Sequence, residues 1–317
     1  MTELDHVVVL AGGLSPEREV SLRSGRRVRD ALEEAGVDAR MADADAGLIP
    51  ALLADPPSAI FPVVHGSYGE DGAIKEILAL LGTPYVGSVA SACRSAFDKP
   101  TAKALVGAAG ITTPPSVTLP REIFHDLGAT AVIDRIIARL GLPLFVKPAR
   151  GGSSLGASPV PSAAELPTAI VSCFAYGDTA LIERFIEGTE IAVSVVDLGD
   201  GPQALPAVEI VPAAGQYDYT ARYTAGQTAF YTEARLPSAA LDSAAKAASC
   251  AHAALGLRDI SRTDLIVSQS GEVYFLEVNV SPGMTETSTL PMALDAAGHE
   301  FGAACLTLLR LAAARGG

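Results

Sequence analysis

Arg262, Asp264, Glu277 and Asn279 carry the strongest chemical signal in this chain of 317 residues. They sit in two runs, Arg262-Thr-Asp264-Leu-Ile-Val267 and Val273-Tyr-Phe-Leu-Glu277-Val-Asn279, on either side of Ser268-Gln-Ser-Gly271. Such runs around a Ser-Gly turn predict a hairpin. With Ser270-Gly271 at the turn centre, Gln269 pairs with Glu272, and counting outward sets Asp264 opposite Glu277 and Arg262 opposite Asn279. Side chains two apart share a strand face, so all four converge. The other face holds Leu265, Val267, Tyr274, Leu276, Val278 and Val280, which predicts core. Facing carboxylates repel, and something must offset that. A hard cation with oxygen ligands does so, and Asp264, Glu277 and the Asn279 amide oxygen suit magnesium better than zinc. Magnesium takes its remaining ligands from waters and substrate phosphates, which points to a nucleotide. A solvated strand face neutralised by Arg262 is the alternative. A turn longer by one residue would flip one strand and undo the register.

Lys147-Pro-Ala-Arg-Gly151-Gly152-Ser153-Ser154-Leu-Gly156 follows a predicted strand. Gly-rich backbone lets amides close around phosphate oxygens, and a buried Lys at a strand end needs an anion. Phosphate would serve both, although an ordinary hairpin turn has the same composition. The spacing matches neither Gly-x-x-x-x-Gly-Lys-Ser/Thr nor Gly-x-Gly-x-x-Gly. Leu181-Ile-Glu183-Arg-Phe185-Ile186-Glu187-Gly188-Thr-Glu190 reads either as strand punctuation or as a hinge clamping an adenine, with Glu190 accepting from ribose hydroxyls. Glu17 and Glu19 follow Gly12-Gly13 in a first helical turn, where the dipole favours acids. His65-Gly-Ser-Tyr-Gly-Glu70-Asp71-Gly72 follows a buried strand, where open α/β sheets bind ligands. His65 fits a satisfied turn histidine as well as a ligand-facing one. Together the two loops predict a polar pocket without a metal pattern.

The elements that must position these groups follow from the apolar patterning. Residues 1–95 alternate strand and helix: Val7–Ala11 stops at Gly12-Gly13, Ser15-Pro16 predicts an N-cap with proline in the first turn, and Leu22, Val28 and Leu32 face inward. Ala59–Val64 predicts a buried strand and Asp71–Leu81 a helix, a doubly wound α/β start. Residues 96–187 predict a small α+β unit with helices at Thr101–Ala109 and Ala163–Phe174 and strands at Leu142–Lys147 and Ala180–Phe185. Residues 188–317 open with strand Glu190–Asp197 and contain helix Ser243–Leu255, the hairpin and a last helix near Phe301–Ala313. Ala213–Leu236 predicts irregular structure, and a stretch of about 24 residues without an element is usually functional, often a lid.

Composition narrows the classes. A formal charge of −13 excludes a nucleic-acid surface, which would need clustered Lys and Arg. Arg23, Arg26, Arg27 and Arg29 are followed by Asp30, Glu33 and Glu34 and predict a solvated helix face. No apolar run approaches the ~20 residues of a membrane span. Glu3 and Asp5 stand where a targeting segment would carry basic residues. Cys93, Cys173, Cys250 and Cys305 lie far apart and read as reduced core thiols of a cytoplasmic protein.

Taken in order, six motifs resemble the D-alanine–D-alanine ligase family over nearly the whole chain: Ala11-Gly-Gly-Leu-Ser-Pro-Glu17-Arg-Glu-Val-Ser-Leu22, His65 to Gly72, Lys147 to Gly156, Tyr217-Asp-Tyr219 with Tyr223, Arg262-Thr-Asp264, and Glu277-Val-Asn-Val-Ser-Pro-Gly-Met-Thr285. The resemblance implies an ATP-grasp fold, α/β and α+β, with an N-terminal doubly wound domain (1–95), a central subdomain (96–187) and a C-terminal one (188–317), ATP lying between the last two. It implies two magnesium ions, with manganese as a substitute, at Asp264, Glu277 and Asn279. Lys99, Lys147, Ser154 and Arg222 would serve the phosphates, and Glu183, the Phe185–Ile186 backbone and Glu190 the adenosine. Glu17 would take the first substrate's ammonium and His65 would sit by its carboxylate. Arg262 and the Gly283 amide would form the oxyanion site, Ser288 would bind the second carboxylate with Thr289 beside it, and a Glu17–Ser153–Tyr223 network would tie the lid to the site. The implied reaction joins two D-alanines through an acyl phosphate for peptidoglycan precursors, in a cytoplasmic homodimer. A sister ligase with D-Ser, D-lactate or another acceptor, or a non-catalytic nucleotide-binding paralogue, are the competing readings. Arg222 stands where the family usually has Lys, Gly151 where it often has Glu, and Thr289 where it has an apolar residue, which bears on the acceptor. Tyr223, rather than Phe, resembles members that take an amine.

Overall fold

The computed structural model describes residues 4–213, 215, 221, 222, 224 and 226–316. Strands β1 (His6–Ala11), β2 (Asp38–Asp43) and β3 (Ala59–Pro62) pair in parallel in the order β2-β1-β3. β1 and β3 are unbroken apolar runs because both sheet faces are covered. Helix Arg18–Glu34 buries Val28 and Leu32 on this sheet, and the C-terminal helix Phe301–Arg315 adds Leu308 and Leu309 to the same core. The end of the chain thus packs on its beginning.

Strands β4 (Ser116–Pro120), β5 (Leu144–Pro148), β6 (Ser158–Val160) and β7 (Thr179–Arg184) form an antiparallel sheet in the order β4-β7-β5-β6. Leu144, Val146 and Ile182 pack there against Leu166 and Ile170 of helix Leu166–Cys173. The third sheet takes β8 (Gly188–Asp197), β9 (Pro202–Ala204), β10 (Val208–Pro212), β11 (Thr228–Tyr231), β12 (Ile260–Ser268) and β13 (Val273–Asn279) in the order β11-β10-β8-β12-β13, with β9 beside β8. Helix Ser238–Ala254 covers it with Ala240, Ala244, Ala248 and Ala251, a stripe of small residues that lets helix and sheet approach closely.

Several local expectations change. Ala213–Leu236 is not wholly irregular, since β11 lies inside it and pairs with β10. Ser15 does not cap the first helix, whose N-cap is Glu17. Its hydroxyl instead donates to the His65 carbonyl at 2.9 Å and accepts from the Glu17 amide. The helix predicted at Asp71–Leu81 is Ala73–Leu80, and an unpredicted short helix, Ser67–Glu70, precedes it with Gly72 (φ 90°) between the two. A Cβ there would fall 2.4 Å from the Ala90 carbonyl. Helix Ser238–Ala254 starts five residues before its prediction because Pro237 serves as its N-cap. Arg27 is not solvated: it donates to the Met284 carbonyl at 2.9 Å and lies over the Phe301 ring. Cys93, Cys173 and Cys305 are buried, whereas Cys250 is half-buried; all four are free thiols.

Candidate active site

The hairpin β12–β13 sets Asp264 opposite Glu277 and Arg262 opposite Asn279, the predicted pairing. It does so by another route. The turn is one residue longer than two, because Ser268 N–H donates to the Glu272 carbonyl and Val267 pairs with Val273. A bulge after Phe275 inserts Leu276 and restores the register at Glu277. Bulges re-aim side chains in this way next to functional sites. The core face is corrected accordingly: Phe275 is fully buried with Leu265, Val267, Val278 and Val280, while Tyr274 and Leu276 are only half-buried. Leu276 lines a cavity instead.

Each acid of this patch has a cation. Arg262 donates to both oxygens of Asp264 at 2.7 and 2.9 Å, and Lys99 lies 3.2 Å from Glu277. Burial opposes the charge on Glu277, but Lys99, Lys147, Arg222 and Arg262 overcome it and hold the acid down to about 2. Lys147 reaches Glu183 at 2.7 Å, and Lys103 pairs with the other Glu183 oxygen while donating to the Pro114 carbonyl. Burial opposes both charges; Glu183 nevertheless raises Lys147, and the two lysines lower Glu183. Lys103 was not singled out from the sequence. It lies one turn after Lys99 on helix Lys99–Ala108, and that spacing was the available signal. Asn279 Oδ1 accepts from the Ser281 amide at 2.7 Å, which fixes how it faces its strand neighbours. Two carboxylates and one oriented amide make an all-oxygen donor set, the kind a hard divalent ion takes. Among the described residues there is no cluster of three His, Cys, Asp or Glu to suit a softer metal.

The Gly-rich loop turns through Ser153 (φ 54°) and Ser154 (φ 57°), two non-glycine residues in the left-handed region. Such strain gathers at functional loops. It brings Ser153 Oγ to 2.8 Å from Glu17 Oε1 and Ser154 Oγ to 3.2 Å from Arg222 Nε. The third expected member, Tyr223, lies outside the described residues, as do Tyr217 and Tyr219. Glu17 is buried, and among the described residues its Oε2 has no hydrogen-bond partner. Gly66 must lack a side chain here, because a Cβ would lie 2.5 Å from that oxygen. His65 Nδ1 meets the Ser281 carbonyl at 3.0 Å and Nε2 meets Ser24 Oγ at 3.0 Å, so both ring nitrogens are engaged by the chain. Burial pushes His65 down to about 4, helped by Arg262 and resisted by the Ser281 bond, so the ring is neutral. Gly283 lies against Ser288: a Cβ there would come within 2.6 Å of Ser288 Oγ. Ser288 Oγ accepts from the Thr285 amide at 3.1 Å, and the Thr289 hydroxyl beside it is buried without a partner among the described residues.

Two cavities organise these groups. One of about 260 Å³ is lined by Glu17, His65, Glu70, Arg262, Gly283 and Ser288. The other, about 640 Å³, lies between the two antiparallel sheets and is lined by Lys147, Glu183, Phe185, Ile186, Glu190 and Asp264 among others. Phe185 N–H donates to the Pro143 carbonyl, so what Phe185 offers a ligand is its own carbonyl and its ring. Burial raises Glu190 to about 7, with Arg222 pulling the other way. Lys99, Gly151, Gly152, Arg222 and Glu277 line both cavities, so the two meet there.

Comparison with known proteins agrees with this geometry. A family model described as D-ala D-ala ligase C-terminus matches residues 105–310, and one described as D-ala D-ala ligase N-terminus matches residues 38–88. The chain is 39% identical over 303 residues to the D-alanine–D-alanine ligase of Anaeromyxobacter sp. (strain K), covering 96% of this chain and 95% of that one. It is 41% identical over 306 residues to that of Nitrosospira multiformis, covering 96% of each. Among solved structures, the VanG D-Ala:D-Ser ligase from Enterococcus faecalis superposes with a TM-score of 0.83 at 30% identity, over 98% of this chain and 99% of that one. The Bacillus anthracis D-alanine–D-alanine ligase complexed with ATP superposes at 0.79 and 28% identity, over 98% and 97%. With both parts of the family represented in order along it, the chain belongs to the D-alanine–D-alanine ligase family of ATP-grasp enzymes.

Proposed function

We propose that this chain ligates two D-alanines at the expense of ATP, supplying the dipeptide for peptidoglycan precursors. The observation that carries the reading is the shared border of the two cavities, where Lys99, Arg222 and Glu277 face both. A carboxylate bound in the smaller cavity would there meet the terminal phosphate of a nucleotide in the larger one. Its oxygen attacks the γ-phosphorus, ADP leaves, and an acyl phosphate forms. The amine of the second amino acid then attacks the acyl carbon, and phosphate departs. Lys99 and Lys147 stabilise the transferring phosphoryl group, and Glu17 Oε2 takes the first ammonium. The Arg262 guanidinium, with the Gly283 amide, stabilises the tetrahedral oxyanion. Ser288 holds the acceptor carboxylate. Asp264, Glu277 and Asn279 would hold two magnesium ions, which supply charge neutralisation at the phosphates. We assign the nucleotide to residues 96–187 and 188–317, the first substrate's loops to 1–95, and a cytoplasmic homodimer to the working enzyme.

ADP release in a coupled assay tests this. D-Ala alone is expected to stimulate it and L-Ala to have no effect, and Arg262→Ala is expected to lower kcat by at least ~100-fold. Tight nucleotide binding without turnover of any amino acid pair would favour a non-catalytic paralogue. The Thr289 hydroxyl supports a second reading, with D-Ser as acceptor, because a buried hydroxyl without a partner beside the acceptor's carboxylate site suits a substrate that brings one. The VanG neighbour is named for that acceptor. Thr289→Val should then lower kcat/KM for D-Ser relative to D-Ala by about 10-fold. An unchanged ratio would remove this reading.

A further inference from the structure

We infer that Ser24 and Arg27, on the first helix of the N-terminal sheet, are positioning residues that lock the Gly283 amide in place for the oxyanion, with His65 as their partner. This rests on the oxyanion role proposed for Gly283. Met284 is held by both of its backbone polar groups: its N–H, in the peptide that follows Gly283, donates to Ser24 Oγ at 3.1 Å, and its carbonyl, in the next peptide, accepts from Arg27 Nη1 at 2.9 Å. Ser24 and Arg27 are three apart on helix Arg18–Glu34 and so share a face. Arg27 is itself stacked 4.3 Å over the Phe301 ring. On the other side of Gly283, the Ser281 carbonyl accepts from His65 Nδ1 at 3.0 Å, and Ser281 Oγ donates to the Val64 carbonyl at 3.1 Å.

The directions are forced. A carbonyl only accepts, so His65 carries its proton on Nδ1, Nε2 is the acceptor, and Ser24 must donate to it. The result is a closed chain from the Met284 amide through Ser24 and His65 to the Ser281 carbonyl, with Gly283 between its ends. Every polar group in it is satisfied, and the Ser24 side chain is fully buried. An oxyanion donor is worth most when its direction is fixed before the charge develops. The bracing comes from the N-terminal sheet, on which neither the metal ligands nor the proposed phosphate lysines lie.

Ser24→Ala tests this, with Ser21→Ala as control. Ser21 is equally buried, but its hydroxyl joins Gly12 N–H to the Val63 carbonyl and stays within the N-terminal unit. Ser24→Ala is expected to lower kcat by about 10–100-fold, with KM for ATP and D-Ala within about 3-fold of wild type. Binding of a phosphinate analogue of the dipeptide, a tetrahedral mimic, should weaken in parallel with kcat/KM. Arg27→Met removes the other grip and should give the same pattern, which serves if Ser24→Ala does not fold. Ser21→Ala should lose Tm without losing more than about 3-fold in kcat. Equal losses of kcat in the Ser21 and Ser24 variants, or a rise in KM at constant kcat, would overturn the assignment. If Arg262→Ala also keeps wild-type kcat, the oxyanion reading itself fails; if it does not, only the brace fails.

Discussion

Glu70 has its carboxyl buried in the wall of the smaller cavity. Burial raises it to about 7, against the Gly66 amide that donates to it and with the charge of Glu17 adding to the rise. An unfolded glutamate titrates at about 4.3. The native state therefore binds the proton more tightly, and the stability this contributes is present below about 4.3 and lost as pH climbs through 7. Glu70→Gln keeps the acceptor for Gly66 and abolishes the titration. Its Tm should match wild type near pH 4 and exceed it by pH 8, by an amount corresponding to about 3 kcal/mol; a constant difference across that range would refute the shift. Residue types in the motifs were legible because chemistry restricts what each proposed role can use: acids for metal and ammonium, lysines for phosphate. Their partners were less so. Nothing in the local sequence announces that Glu183 bridges Lys103 and Lys147, or that both nitrogens of His65 are already taken, since those contacts join segments far apart in the chain.

The strands and helices were read mostly from periodicity, and their faces depended on register. At β12–β13 the predicted pairing of Asp264 with Glu277 and of Arg262 with Asn279 formed although the turn is one residue longer than predicted, because the bulge at Leu276 cancels the error. Hydrophobicity could not reveal that, as Tyr274, Phe275 and Leu276 are all apolar enough for either face. β11 was missed because Thr228–Tyr231 is a short edge strand with alternating half-buried and exposed residues, and its pairing is with a strand some 20 residues earlier. Gly188, where β7 gives way to β8, has a firmer structural reason than punctuation. A Cβ there would lie 2.2 Å from the Val267 carbonyl in the neighbouring strand β12. Gly188→Ala should cost about 1–3 kcal/mol of stability by denaturant titration and should disturb the larger cavity, which Gly188 lines. A variant as stable as wild type would show that β8 and β12 can part there without loss.

At the scale of the molecule, where the chain forms three sheets, the change from a doubly wound α/β start to a different, α+β pattern was visible in the sequence. The way the last helix closes back on the first sheet was not. Asp259 shows how that closure is secured: buried at φ 64°, it accepts from Arg315 at 2.8 and 2.6 Å and from the Gly87 amide at 2.6 Å, joining three distant segments. Across the middle of this assembly, Glu277 holds Lys99 and Asp264 holds Arg262. Both acids therefore come with counter-ions built into the chain. A divalent ion bound at these acids, as proposed, would by itself have to evict those cations and would offer them nothing in return, whereas one arriving on a polyphosphate would bring the anions they can turn to. Magnesium alone is expected to raise Tm by less than about 1 °C, and magnesium with ADP at about 100 times its Kd by about 5 °C; equal shifts would contradict this. The carboxylate pair then behaves as a coincidence gate, indifferent to either visitor alone and open to the two together.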